Sequence, residues 1–251
     1  MNPDIPALLA EIGQLKSQLD ALRPLPEHTV RTLHEQQVLE WTYHSNAIEG
    51  NTLSLKETKV VLEGITIGGK SMREHLEAIN HREAIDYVET IVSGEETLSE
   101  WQIKNIHQLV LKNIDDQNAG RYRQQNVVIA GASHTPTDFL QLPQAMTALI
   151  AWYQSAADLH PLRRAARLHV DFVGIHPFVD GNGRTARLLM NFELMRYSYL
   201  PVIIRVEQRL AYYDALDTAH MSQNYEPFIQ LVAEEEHETL KRYLSVIHGE
   251  A

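Results

Sequence analysis

Ile175-His176-Pro177-Phe178-Val179-Asp180-Gly181-Asn182-Gly183-Arg184-Thr185-Ala186-Arg187 is the stretch from which the rest of the chain can be read. One short span holds an imidazole, a carboxylate, a glycine turn and two guanidinium groups. Gly181, Asn182 and Gly183 form a turn that admits left-handed backbone angles, and successive amide N–H groups in such a turn converge on a concave anion site. Leu188, Leu189, Phe192 and Met195 then recur at helical spacing, so the turn opens into a helix whose N-terminus favours anions. Arg184 and Arg187 fall at the start of that helix. Positive charge there opposes the helix dipole at a cost of some tenths of a kcal/mol, which a facing anion would offset. Three residues apart, they share a face and could grip successive phosphates. Asp180 precedes the turn, where a carboxylate beside a polyphosphate is a natural Mg²⁺ ligand. His176 titrates near neutrality and can accept a hydroxyl proton. The combination points to metal-assisted transfer from a nucleoside triphosphate to a hydroxyl, with the protein supplying position and charge.

The same residues match, at every defining position, the His-x-Phe-x-(Asp/Glu)-Gly-Asn-Gly-Arg-x-x-Arg signature of Fic-domain enzymes. From about Trp41 to about Tyr243 the chain most resembles animal Fic-type AMP transferases and their bacterial relatives. The resemblance implies an all-α, Fic-type helical bundle with one β-hairpin flap over the active site. It implies ATP and Mg²⁺ as the groups bound, and transfer of AMP to a Ser, Thr or Tyr hydroxyl of a target protein or of the chain itself. His176, Asp180, Arg184 and Arg187 would be catalytic, and Gly181, Asn182 and Gly183 would hold the nucleotide with the two arginines.

Composition is compatible with this reading. A chain of 251 residues can bury a substantial core, and 44% apolar content argues against disorder. The net charge of −11 argues against a generic nucleic-acid surface. Without cysteine there is no disulfide, thiolate nucleophile or cysteine-based zinc site. With no long apolar run and no basic, apolar leader at Met1-Asn2-Pro3-Asp4-Ile5, a cytoplasmic protein with no membrane span is expected.

Upstream, Leu8, Ile12, Leu15, Leu19 and Leu22 form an amphipathic stripe that calls for either the domain surface or a second copy of itself, and Pro24 and Pro26 end its helix. A helical pattern from about Thr29 leads to Ser45-Asn46-Ala47-Ile48-Glu49-Gly50. These residues match the (Ser/Thr)-x-x-x-Glu-(Gly/Asn) inhibitory motif of the same family. By that resemblance Ser45, Glu49 and Gly50 are inhibitory, and Glu49 pairs with Arg187. Gly64-Ile65-Thr66-Ile67-Gly68-Gly69-Lys70-Ser71 satisfies the P-loop pattern, but Leu55 to Glu63 before it reads as a helix rather than a buried strand. A glycine-rich connection is expected, with Met72 and its surroundings candidates for a homodimer contact by the resemblance. Met72 also begins a core-facing stripe through Leu76, Ile79, Ile85, Val88 and Ile91, and Ser99-Glu100-Trp101-Gln102 reads as a capping box.

Val127-Val128-Ile129 followed by Gly131-Ala132 predicts a hairpin, which resembles the Fic flap on which a target segment docks by strand addition. His169 is expected to be a core or surface histidine. Tyr212 and Tyr213 lie where Fic relatives place an adenine pocket; either they supply a stacking face or they are core. His220 stands where close relatives carry an asparagine, and Asn224 is the candidate substitute. Glu234-Glu235-Glu236 reads as a solvated face. The expected organisation is an N-terminal helical extension (1–26), an inhibitory helix with its connection (27–98), and a core with flap and C-terminal helices (99–251).

The leading reading is an autoinhibited protein adenylyltransferase. The alternatives are an enzyme that removes AMP, with Glu49 positioning water, a non-catalytic nucleotide-regulated binding module, and a P-loop ATPase dependent on Lys70.

Overall fold

Pro161 opens one helix and a left-handed His176 closes it, while a left-handed Gly181 opens the next, and this pair of helices sits at the centre of the fold. In the computed structural model, which describes residues 4–249, the chain runs through α1 (Ile5–Ala21), α2 (Glu27–Ile48), α3 (Leu55–Leu62), α4 (Met72–Ser93) and α5 (Glu100–Leu111). It continues through α6 (Leu142–Ser155), α7 (Pro161–Ile175), α8 (Asn182–Arg196), α9 (Arg209–Ser222) and α10 (Glu226–His248). Residues Arg184 to Leu194 of α8 are all buried, so it is a core helix enclosed by α2, α4, α5 and α7. Helices α6, α9 and α10 pack on α7.

The N-terminal stripe finds the domain surface: Ile5, Leu8, Ile12 and Leu19 are buried as α1 lies along α10. Each such burial contributes roughly 1.5–3 kcal/mol. One apolar cluster extends from Ile5 to Leu244, and residues on both sides of 26 and of 98 contribute to it. A satellite cluster of Leu53, Val61 and Ala78, with Ile67 against it, seats the 64–71 connection. The element before that connection is the helix α3, and Lys70 Nζ donates to the Thr52 carbonyl, so the P-loop pattern is an ordinary connection. No described helix is long and apolar enough to cross a membrane.

Four sequence expectations are corrected. The hairpin over 127–132 is absent, since no strand occurs among the described residues. A turn does form, with the Ala132 N–H donating to Ile129 O, but side chains take the place of a ladder. Arg123 donates to the carbonyls of Gln125, Thr137 and His176, Asn126 joins Asp138, and Ser133 joins Asp217, so the segment is pinned outward to its neighbours instead of to itself. Met72 is 64% exposed, because it is the first residue of α4 and projects beyond the packed face. Ser99 caps α5 through the Trp101 N–H, but Gln102 Oε1 accepts the Ser99 hydroxyl instead of its backbone N–H while Nε2 donates to Glu96, so the reciprocal half of the box is missing.

The glutamate run is not a solvated face: Glu235 and Glu236 are buried, because α1, α7 and α9 surround α10. Glu236 Oε1 accepts the Leu200 N–H, Oε2 has no partner, and burial pushes its carboxyl well above the usual range. Glu236→Gln keeps an acceptor for Leu200 and removes an ionisable group whose charged form burial penalises. We expect a gain of about 1 kcal/mol at neutral pH, visible in calorimetry as a rise of about 2–4 °C in Tm.

Candidate active site

Asn182 fixes the loop between α7 and α8: its Oδ1 accepts the Phe178 N–H at 3.0 Å and its Nδ2 donates to the Phe178 carbonyl at 2.9 Å. The Phe178 ring lies flat against His107, with centroids 3.5 Å apart. The Gly120 N–H donates to His107 Nδ1, so the ring proton sits on Nε2, which donates to the Asp180 carbonyl at 2.9 Å. Gly181 closes against the same ring: a Cβ there would come within 3.2 Å of Val110 and 3.4 Å of His107 at a φ of +75°. The turn is thus held from behind by α5 and open in front.

His176 ends α7 in the left-handed region (φ 52°, ψ 59°), an orientation that turns its side chain out of the helix into a cavity of about 340 Å³. Glu49, Gly183, Tyr213, Asp217 and His220 also line that cavity. Burial pushes the imidazole down to about 4, and the Val173 backbone offsets only part of this. His176 is therefore a neutral base at physiological pH.

Arg187 is 2% exposed and fully engaged. Nε donates to Ser45 Oγ, Nη2 to Ser45 O and to Glu49 Oε1 at 2.7 Å, and Nη1 to the Tyr212 hydroxyl. Glu49, the C-cap of α2, sits over the glycine turn, so closely that a Cβ on Gly183 would collide with its Oε1. Its carboxylate separates the first cavity from a second of about 350 Å³ lined by Arg73, Glu77, Asp180 and Arg184. There Arg184 faces Glu77 and Asp180, each at 3.4 Å. Burial raises the Asp180 carboxyl, but Arg184, the Gly181 N–H and Arg73 outweigh it and hold the group below its ordinary value.

The structure brings together Ser45, Glu49, His176, Asp180, Gly181, Asn182, Gly183, Arg184, Arg187 and Tyr212, and lets Gly50 turn the chain away at φ +99°. Tyr212 is buried and bonded to Arg187 and His169, so it supports the guanidinium, while Tyr213 reaches the cavity. His220 lines the cavity with its Nε2 on the Val170 carbonyl and its ring against His134. Asn224 lies elsewhere, accepting the Glu226 N–H at the start of α10. Ile129 borders the cavity and Val128 is 92% exposed. Sequence reading missed Arg73, Glu77 and His107. They act across separations of 107, 107 and 73 residues and carry no local motif, beyond the Arg73–Glu77 spacing of four on α4.

The buried histidines give the protein an acid limit. Burial lowers His107 to about 4, and lowers His81 and His169 well below their ordinary value. Unfolding restores pKa values near 6.5, so between about pH 6.5 and about 4 the unfolded chain binds more protons and stability falls as pH falls. His107 alone accounts for up to about 3 kcal/mol at the lower limit. Calorimetry should show Tm level above about pH 7, falling steeply below about 6, and falling less steeply in His107→Gln.

A model of the Fic/DOC family matches residues 97–194. The protein adenylyltransferase Fic of Nematostella vectensis is 38% identical over 95% of this chain and 56% of its own length; that of Caenorhabditis elegans, fic-1, is 34% identical over 96% and 47%. The chain thus spans about half the length of the curated relatives it matches. Among solved structures, C. elegans Fic-1 (aa134–508) superposes with a TM-score of 0.89 at 33% identity, covering 98% of this chain and 74% of that one. A Fic domain containing signaling protein from Bacteroides thetaiotaomicron gives 0.88 at 30% identity, covering 96% and 98%. With the signature residues gathered at one glycine turn and whole-chain likeness of this extent, the chain belongs to the Fic/DOC family.

Proposed function

We propose that the chain is an autoinhibited protein adenylyltransferase. It moves AMP from ATP to a Ser, Thr or Tyr hydroxyl of a target protein or of itself. The observation that carries this reading is the Glu49 carboxylate, seated over Gly183 and bonded to Arg187, in the mouth of an anion-binding turn whose neighbouring wall is a neutral imidazole. An anion already occupies the place where the turn and helix N-terminus favour one.

In the proposed reaction the hydroxyl loses its proton to His176, its oxygen bonds to the α-phosphorus, and the bond to pyrophosphate breaks. In this step the imidazole carries its proton on Nδ1 and uses the Nε2 lone pair. Gly181 to Gly183 cradle the phosphates, and Arg184 and Arg187 counter the charge that develops on the leaving group. Asp180 fits the role of Mg²⁺ ligand, since one ionised carboxylate plus substrate phosphates is an ordinary donor set for that ion. Among the described residues no group of three His, Asp or Glu side chains could hold a metal, which suits an ion that arrives with the nucleotide. When bound it would neutralise the departing pyrophosphate.

Tyr213 and His220 flank the cavity and are the contacts we assign to the base. Val127 to Ile129, with backbone unpaired in any ladder, offers an edge to an extended target segment. Exposed Ile65 and Met72 are the surface we assign to self-association. Intact-mass measurement of Glu49→Gly after incubation with ATP and Mg²⁺ tests the reading. Covalent AMP on the chain or an added protein supports it, and calorimetry showing no ATP binding by this variant would overturn it.

A further inference from the structure

Both charged positions of the proposed reaction are filled by side chains in the resting protein. Glu49, an anion, sits over the turn where phosphate is favoured. On the other side of Glu49, Arg73 Nη2 donates to Asp180 Oδ2 at 2.5 Å, while Asp180 Oδ1 is taken by the Gly181 N–H at 2.6 Å and by Arg184 at 3.4 Å. Both oxygens of the carboxylate assigned to the metal are therefore engaged, and the outer one carries a cation. Arg73 is drawn there from the first turn of α4, steadied by Nε on Glu77 at 3.1 Å, and Glu77 in turn faces Arg184 and accepts from Asn51 just beyond the inhibitory helix.

We propose that Arg73 is a metal stand-in: its guanidinium holds the Asp180 oxygen that Mg²⁺ takes when nucleotide binds, so that Glu49 and Arg73 together replace the phosphate and the metal of the absent substrate. The proposal rests on the AMP-transfer reading and adds a second restraint to it. Arg73 and Asp180 are 56% and 44% exposed, and exposed pairs are weak, so this restraint is far smaller than that of Glu49. It acts only on metal-loaded nucleotide. Removing Arg73 should leave metal-free ATP binding unaltered and tighten Mg²⁺-loaded binding by roughly two- to fivefold.

The test is calorimetric titration of ATP into Glu49→Gly and into Glu49→Gly with Arg73→Gln, each in excess Mg²⁺ and in EDTA. A rise of roughly two- to fivefold in the ratio of the metal-free to the Mg²⁺-loaded Kd supports the proposal, and a smaller rise in Arg73→Lys, which keeps the charge without the fork, supports it further. An unchanged ratio overturns it. Weaker binding under both conditions also overturns it and makes Arg73 a phosphate contact. If Glu49→Gly binds no ATP under either condition, the failure belongs to the AMP-transfer reading. Adding Asp180→Asn to both proteins should abolish the difference that Arg73→Gln makes, and its persistence would place the effect elsewhere.

Discussion

Glu49→Gly should raise the rate of AMP transfer at limiting ATP by about ten- to a hundredfold. The pair it breaks is asymmetric: Arg187 is 2% exposed, while the Glu49 side chain keeps 35% of its surface in solvent. Deleting one partner of a buried pair costs about 3–5 kcal/mol and of an exposed pair at most about 1, so an intermediate bias of about 1.5–3 kcal/mol is expected here. A competitor bound with that free energy weakens apparent nucleotide affinity by the same factor. The freed guanidinium does not have to be rebuilt, because Ser45 and Tyr212 still hold Nε, Nη1 and one hydrogen of Nη2. Ser45→Ala is milder for the same reason and should change the rate by only a few-fold. Initial rates with ATP labelled at the α-phosphate measure both variants. Equal, weak labelling of the parent and Glu49→Gly would remove the restraint assigned to this carboxylate.

The glycine turn, its imidazole and the Ser45–Glu49 face were legible because their meaning is local: each lies within a few residues of a helix end, and helix ends are marked by Gly, Pro and capping side chains. The capping boxes Ser54–Glu57 and Ser71–Glu74 are equally local and readable in the same way. Val127-Val128-Ile129 has strand propensity, but a strand exists only when another segment pairs with it, and Arg123 and Asn126 claim the neighbouring polar groups first. Glu235 and Glu236 misled for a related reason. Charge density on a helix describes what water would like, and the burial of α10 is set by its neighbour α9 together with α1 and α7, which are remote in sequence. The tautomer of His107 and the seat of Arg73 are tertiary facts, legible only once α4, α5 and the glycine turn meet.

His176→Ala in the Glu49→Gly background should lower AMP transfer by about 10²- to 10⁴-fold while leaving the Kd for ATP within about a factor of two. The separation follows from position. The groups proposed to bind phosphate are the turn and the two arginines, and His176 makes no hydrogen bond to either arginine, only to the backbone through its own N–H and to Arg123 through its carbonyl. Alanine carries a second consequence, since the residue sits at φ 52° and a Cβ there without a compensating side chain costs about 1–2 kcal/mol. His176→Asn tolerates that conformation and lacks a base, so it separates chemistry from folding: both variants should be equally inactive, with only alanine lowering Tm. The pH profile gives an independent readout. With its pKa held at about 4 in the free protein, the imidazole is already deprotonated at neutral pH, so kcat/KM should be level from about pH 6 to about 8 and fall below about 5. A profile that instead rises through pH 8, or an asparagine variant that keeps more than about a tenth of the parent rate, would mean that another group takes the proton and that His176 only closes α7.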